Sequence, residues 1–127
     1  MLIKTPVSLG EIVDKISILM VKQKKIDDPK KLDNVNKELS MLQDTISRNV
    51  KLDEINIYLK ELIDINSKLW VIEDDIRDCE RKKQFDQQFI DLARSVYFTN
   101  DKRAKVKLEI NEKFGSELVE VKSYEKY

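Results

Sequence analysis

Histidine is absent from this sequence. That excludes a Ser-His-Asp triad, a His-ligated metal and a histidine pH switch. A single cysteine, Cys79, excludes an internal disulfide and any cysteine-rich zinc or iron–sulfur site within one chain. Charge of one sign is missing too: 24 Lys and Arg balance 24 Asp and Glu, which argues against a non-specific nucleic-acid binder. No apolar run approaches the ~20 residues of a membrane span. No export signal is visible, and with one unpaired cysteine this points to a reducing cytoplasm. Two Gly and two Pro in 127 residues leave few turns, so the elements must be few and long.

The residues present suit helices. Apolar residues make up 41% and charged residues 38%, a balance that fits thin amphipathic helices around a real core. No repeat, low-complexity tract or linker divides the chain, so a single helical domain over 1–127 is expected. Residues 1–7 read as an extended arm, because Pro6 disfavours helix at Thr5. Ser8-Leu9-Gly10-Glu11 has the form of a capping box, opening a helix from Leu9 to Ile26 with Ile12, Ile16, Leu19, Met20 and Ile26 as its stripe. Asp28-Pro29 opens a second helix, whose Leu32, Val35, Leu39, Leu42 and Ile46 repeat at 3-4 spacing up to a stop near Asn49. A third helix is predicted from about Asp53 to Lys83 and a fourth from Asp86, with Phe85 stapled to Ile90. The fourth is read as one helix to Gly115, a natural residue to end it, with a fresh helix capped at Thr99-Asn100-Asp101 as the alternative. Residues 116–127 read as a C-terminal tail, in which Leu118-Val119-Glu120-Val121 is too short to classify and Lys122 to Tyr127 is polar. The fold class expected is therefore all-α: a long antiparallel helical hairpin with two further helices packed on it, an elongated bundle. A hairpin leaves one face open, which predicts a homo-oligomer, most simply a dimer.

Polar residues interrupt the seams of the hairpin. The third helix reads Ile55, Leu59, Leu62, Asn66, Leu69, Glu73, Ile76, and the fourth reads Phe89, Leu92, Val96, Thr99, Arg103, Val106, Ile110. With the turn at Gln84-Phe85, Asn66 faces Arg103, and Glu73 faces Val96 to Asn100. One reading is a buried Arg103–Glu73–Asn66 network that sets the register of the hairpin. The other is a ligand pocket. Asn100, Arg103, Lys107 and Asn111 share one helix face, and Arg103 and Lys107 repel unless an anion lies between them, either a carboxylate of the third helix or a bound phosphate. Glu73 and Arg77 are spaced for a plain salt bridge. Residues 60–80 hold seven acids and three bases, and Glu61-x-x-Asp64 and Asp75-x-x-Asp78 each place two carboxylates on one face. Helical Mg²⁺-dependent hydrolases use such pairs, but only with a matching acidic motif on a neighbouring helix, where the first helix offers Glu11 and Asp14 alone.

Longer stretches look familiar. Val7-Ser8-x-Gly10-Glu11-x-x-Asp14-Lys15-x-x-Ile18-Leu19, Leu69-Trp70-x-Ile72-Glu73-Asp74-x-Ile76-Arg77, and Leu92-Ala93-Arg94-Ser95-Val96-Tyr97-x-Thr99-Asn100-Asp101-x-Arg103-Ala104 are the clearest. Lys107-x-x-Ile110-Asn111 and Ser116-x-Leu118-Val119-Glu120 follow. This pattern resembles a bacterial family of helical proteins of about this length, known only as a domain of unknown function; Val121 departs from it where Glu is expected. The resemblance spans nearly the whole chain and adds weight to Asp14, Lys15, Trp70, Glu73, Arg77, Asn100, Asp101, Arg103 and Lys107. It supplies no substrate.

The function expected is a self-associating helical interaction module in the cytoplasm, away from membranes and nucleic acid. Its polar seam has Arg103 and Lys107 as donors to a small anion, Asn100 and Asn111 orienting that ligand, and Glu73 orienting Arg103. On that reading Arg103→Met keeps the fold or stabilises it. Asn66, Arg77, Asp14, Lys15 and Trp70 complete the candidate set, with no metal site and no cofactor expected. The alternatives are a small enzyme, cofactor-free or Mg²⁺-dependent, acting on a phosphorylated or carboxylated metabolite, and a structural or assembly component that docks through the second helix.

Overall fold

A computed structural model describes all 127 residues, as four helices and no strand. The helices are α1 (Leu9–Lys25), α2 (Pro29–Ser47), α3 (Leu52–Arg81) and α4 (Gln87–Lys113). Three of the four starts have a side-chain cap, and Lys51 before α3 makes none. The Ser8 hydroxyl accepts from Glu11 N–H at 3.3 Å, and Asp28 accepts from Lys30 N–H at 2.9 Å just before Pro29. Asp86 accepts from Phe89 N–H at 3.4 Å. α4 continues unbroken through Thr99, Asn100 and Asp101. Phe85, just before α4, packs edge-on against Phe89, ring centroids 5.3 Å apart.

α3 and α4 run antiparallel. Tyr58, near the start of α3, meets Phe114, just past the end of α4, with centroids 6.2 Å apart. At 1.5 Å per residue these helices are roughly 45 and 40 Å long, against roughly 25 Å for α1. α1 is the central element and touches the other three helices, while α2 packs mainly on α1. That position widens the buried arc of α1. Val13 and Val21 are buried although they lie outside the expected stripe, while Ile12, Met20 and Ile26 are only half-buried. The core joins Leu19, Leu39, Leu62 and Ile110, one from each helix. No helix is long and apolar enough to cross a membrane.

Both ends of the hairpin close with the same motif. After α4, Gly115 (φ 65°) takes the left-handed position and Ser116 N–H returns to Asn111 C=O at 2.9 Å. After α3 the same position is held by Lys83 (φ 53°), with Gln84 N–H reaching Cys79 C=O at 2.8 Å. A side chain in this conformation costs about 1–2 kcal/mol, partly offset by the greater freedom glycine has when unfolded. Lys83→Gly is therefore expected to stabilise the protein by about 0.5–1 kcal/mol. A urea midpoint that does not rise would contradict this.

Candidate functional site

The site is built where the first turns of α1 press against the last turns of α4. Gly10 makes the close approach possible: a Cβ there would lie 2.5 Å from the Lys107 carbonyl oxygen. Without one, Gly10 N–H donates to Asn111 Oδ1 at 2.7 Å, and Leu9 N–H donates to Ser116 Oγ at 3.1 Å. The open donors at the start of α1 are thus capped by side chains more than a hundred residues away in sequence. Asn111, expected to orient a ligand, is occupied as a cap.

One turn further along α1 lies the buried centre. Asp14 is 1% exposed. Its carboxylate accepts from Arg103 Nε at 2.8 Å and Nη2 at 2.5 Å, and from Asn66 Nδ2 at 3.0 Å. Asn66 Nδ2 also donates to Ser17 Oγ at 2.8 Å, and that hydroxyl donates to Asp14 C=O at 2.6 Å. Asp14 therefore ties α1 to both arms of the hairpin. The hydrogen bond to Asp14 holds the Arg103 guanidinium above its usual pKa, against the opposing effect of burial.

A second ionic group stands a turn away. Lys107 Nζ lies 2.8 Å from Glu11 and 2.7 Å from Glu120. Burial pulls the Lys107 ammonium down, but these two carboxylates outweigh it and keep its pKa raised. Glu120 also meets Lys122 at 2.8 Å. The C-terminal tail has no regular secondary structure but folds back along α4. Its Tyr127 hydroxyl donates to Asp101, and its ring packs on Tyr97 and Phe98 at 5.3 and 4.9 Å.

The charges make this latch pH-dependent. Lys107 first, then Lys122, hold the Glu120 carboxyl down at about 2. A depressed carboxyl contributes stability that is complete above its ordinary value of 4.5 and is lost as the pH falls toward about 2. The expected outcome is a Glu120 carboxyl ¹³C titration with its inflection near 2 and release of the Tyr127 contacts over the same window. An inflection at the ordinary value would show the latch unformed.

The geometry corrects several expectations. The Arg103–Glu73–Asn66 network does not form. Asn66 and Arg103 do sit at one level of the hairpin, but they meet through Asp14 of α1. Glu73 does not orient Arg103; it takes Arg77 at 2.6 Å, as helix spacing alone predicts. The anions between Arg103 and Lys107 come from α1 and the tail, not from α3. Lys15 lies apart on the surface, paired with Glu38 of α2 at 3.2 Å. Asn66, Trp70, Glu73, Arg77, Asn100 and Arg103 do come together, lining a cleft of about 410 Å³ between α1, α3 and α4. Lys107 is not part of it.

Sequence reasoning missed Ser17, Ser116 and Glu120 as partners. It also read Glu11 as a capping-box acid, whereas its carboxylate turns to Lys107. Only Ser17, one turn from Asp14, carried a local signal. No three acidic or cysteine residues converge as a metal-holding group, and Glu11 and Asp14 are engaged by cations. No known family model, curated protein or solved structure matches the chain.

Proposed function

We propose that the chain is a self-associating helical interaction module that pairs, hairpin against hairpin, with a second copy of itself. The bare half of the α3–α4 hairpin carries this reading. From Ser67 to Lys105, Cys79 is the one buried residue. The seam residues Leu69, Ile76, Phe89, Leu92 and Val96, and Ile72 beside them, are only half-buried. Two helices cannot enclose such a stripe, whereas four can, and covering it stabilises by roughly 25 cal/mol per Å² of apolar surface.

The charge pattern favours a second copy as the occupant. Asp74 and Asp75 of α3 hold no cation of their own chain, and Arg94, Lys102 and Lys105 of α4 hold no carboxylate of theirs. A two-fold pairing lets each acidic patch meet the basic patch of the other copy. The dimer is accordingly expected to weaken at high salt.

The buried polar cluster suits a register device in this reading. Each cation of the expected anion site already holds a carboxylate of its own chain: Arg103 holds Asp14, Lys107 holds Glu11 and Glu120, and Arg77 holds Glu73. Such a cluster keeps the hairpin in one alignment with α1 and presents its free half in a defined shape.

Sedimentation equilibrium tests the proposal. The unmodified chain is expected to be a dimer at micromolar concentration. Phe85 and Ile90 are both exposed in the single chain. Phe85→Glu/Ile90→Glu is therefore expected to give a monomer of unchanged helix content. An unmodified chain that sediments as a monomer, even at high concentration and low salt, would sink the idea.

A further inference from the structure

A cavity of about 400 Å³ lies between α1, the end of α2 and the start of α3. It shares no residue with the proposed dimer face or with the ionic cluster around Asp14. Val13, Ile16, Ile46 and Ile55 form its floor, each no more than 4% exposed. Leu52, half-exposed at the first position of α3, stands on its rim. Pockets that take small molecules span roughly 300–1,000 Å³, with a mostly apolar lining and a few polar groups that orient the guest. Here those polar groups are two carboxamides, Gln43 of α2 and Asn56 of α3, and no charged residue lines the cavity.

Both carboxamides are exposed and bond to nothing in the chain. The polar neighbours of Gln43 differ: Thr45 and Ser47 donate to α2 carbonyls, and Asp44 holds Arg48. A carboxamide donates and accepts at once, so its natural complement is another amide. The chain makes one such pair already, with Gln23 Nε2 donating to Asn36 Oδ1 at 2.7 Å between α1 and α2. We propose that this cavity binds a small uncharged molecule, an apolar chain carrying an amide. The apolar chain lies on the floor, and the amide meets the carboxamides of the rim. A carboxylate or ammonium head finds no counter-charge there and loses part of its hydration against apolar walls.

The inference does not rest on self-association. The probe is N-phenyl-1-naphthylamine, an uncharged dye that brightens in apolar surroundings, displaced by octanamide, octanoate or octylamine. Saturable binding of one dye per chain is expected, with octanamide the better competitor by about tenfold or more. Leu52→Glu puts a charge on the rim at a helix start, where an acid is favoured, so it should fold normally and weaken the dye about tenfold. Gln43→Ala/Asn56→Ala removes side chains that support no other contact, and should weaken octanamide about tenfold while leaving the dye unchanged. Phe85→Glu/Ile90→Glu acts on the dimer face and should leave dye binding as it is. Loss of binding in that variant would place the dye on the hairpin and overturn the inference. No saturable binding, full dye affinity in Leu52→Glu, equal displacement by the three octyl compounds, or full octanamide affinity in the carboxamide variant would overturn it as well.

Discussion

Asp14→Ala is expected to lower the stability of the protein by about 3–5 kcal/mol, the usual cost of stranding one partner of a buried ion pair. Asp14 is almost fully buried and accepts three hydrogen bonds, two from Arg103 and one from Asn66. Alanine leaves a guanidinium whose side chain is only 27% exposed with no counter-charge. It also leaves an Asn66 donor unpaired. For a chain of this size each kcal/mol moves the melting point by about 3–5 °C, so a drop of about 10–20 °C is expected in thermal melts at fixed protein concentration.

The loss belongs to the stranded charge rather than to the worth of the pair, and a second variant separates the two. Asp14→Leu/Arg103→Met removes both charges together and should recover most of the stability. Read from the sequence alone, Arg103→Met was expected to keep the fold or stabilise it. With Asp14 behind Arg103 the single change strands a buried carboxylate, and a loss of about 2–4 kcal/mol is expected instead. If the double variant melts no higher than either single one, the cluster contributes more than paired charge, and the ion-pair account is wrong.

Gly10→Ala is expected to cost about 3 kcal/mol although it adds one methyl group. That methyl would sit 2.5 Å from the Lys107 carbonyl oxygen and 3.1 Å from its carbonyl carbon. Both are backbone atoms of a helix, so α1 must back away from α4. Moving away stretches the Gly10–Asn111 bond of 2.7 Å and pulls Glu11 from Lys107. At an exposed helix position the same substitution stabilises, so the sign of the change tests the contact. A chemical-denaturation midpoint equal to or above that of the unmodified protein would show that α1 and α4 do not meet here. Gly115→Ala makes a useful contrast: open space surrounds that residue, and its cost comes from the left-handed backbone alone, about 1 kcal/mol.

The helices were legible because their signals are local. Ser8, Asp28 and Asp86 each announce a start within one turn of the donor they cap, and the 3-4 spacing of apolar residues marks the faces. The number of helices and the Gly115 stop follow from such signals, whereas Thr99-Asn100-Asp101 also had the form of a cap and only the structure shows α4 unbroken there. The left-handed Lys83 did not, because lysine carries no mark of that conformation. The site was legible only as a list. Asn66, Arg103 and Lys107 stand out as polar residues on apolar faces, but pairing them by their spacing from the hairpin turn put Glu73 where Asp14 belongs.

The sequence by itself determined an all-α chain with few turns, a long hairpin and a stripe of polar residues in its seam. Periodicity and capping are read within a turn or two, and the lack of histidine, excess charge and a second cysteine narrows the chemistry without any structure. Tertiary structure alone decided who meets whom. Asp14 finds Asn66 at a separation of 52 residues and Arg103 at 89, while Gly10 finds Asn111 at 101. Those partners depend on α1 lying in the groove between α3 and α4, a position set by burial of its wide apolar arc and by the missing side chain at Gly10. Once α1 lies there, its carboxylates neutralise the seam cations. That turns a stripe, one reading of which was an anion site, into a closed ionic lock beside a cleft lined by two acids and two arginines.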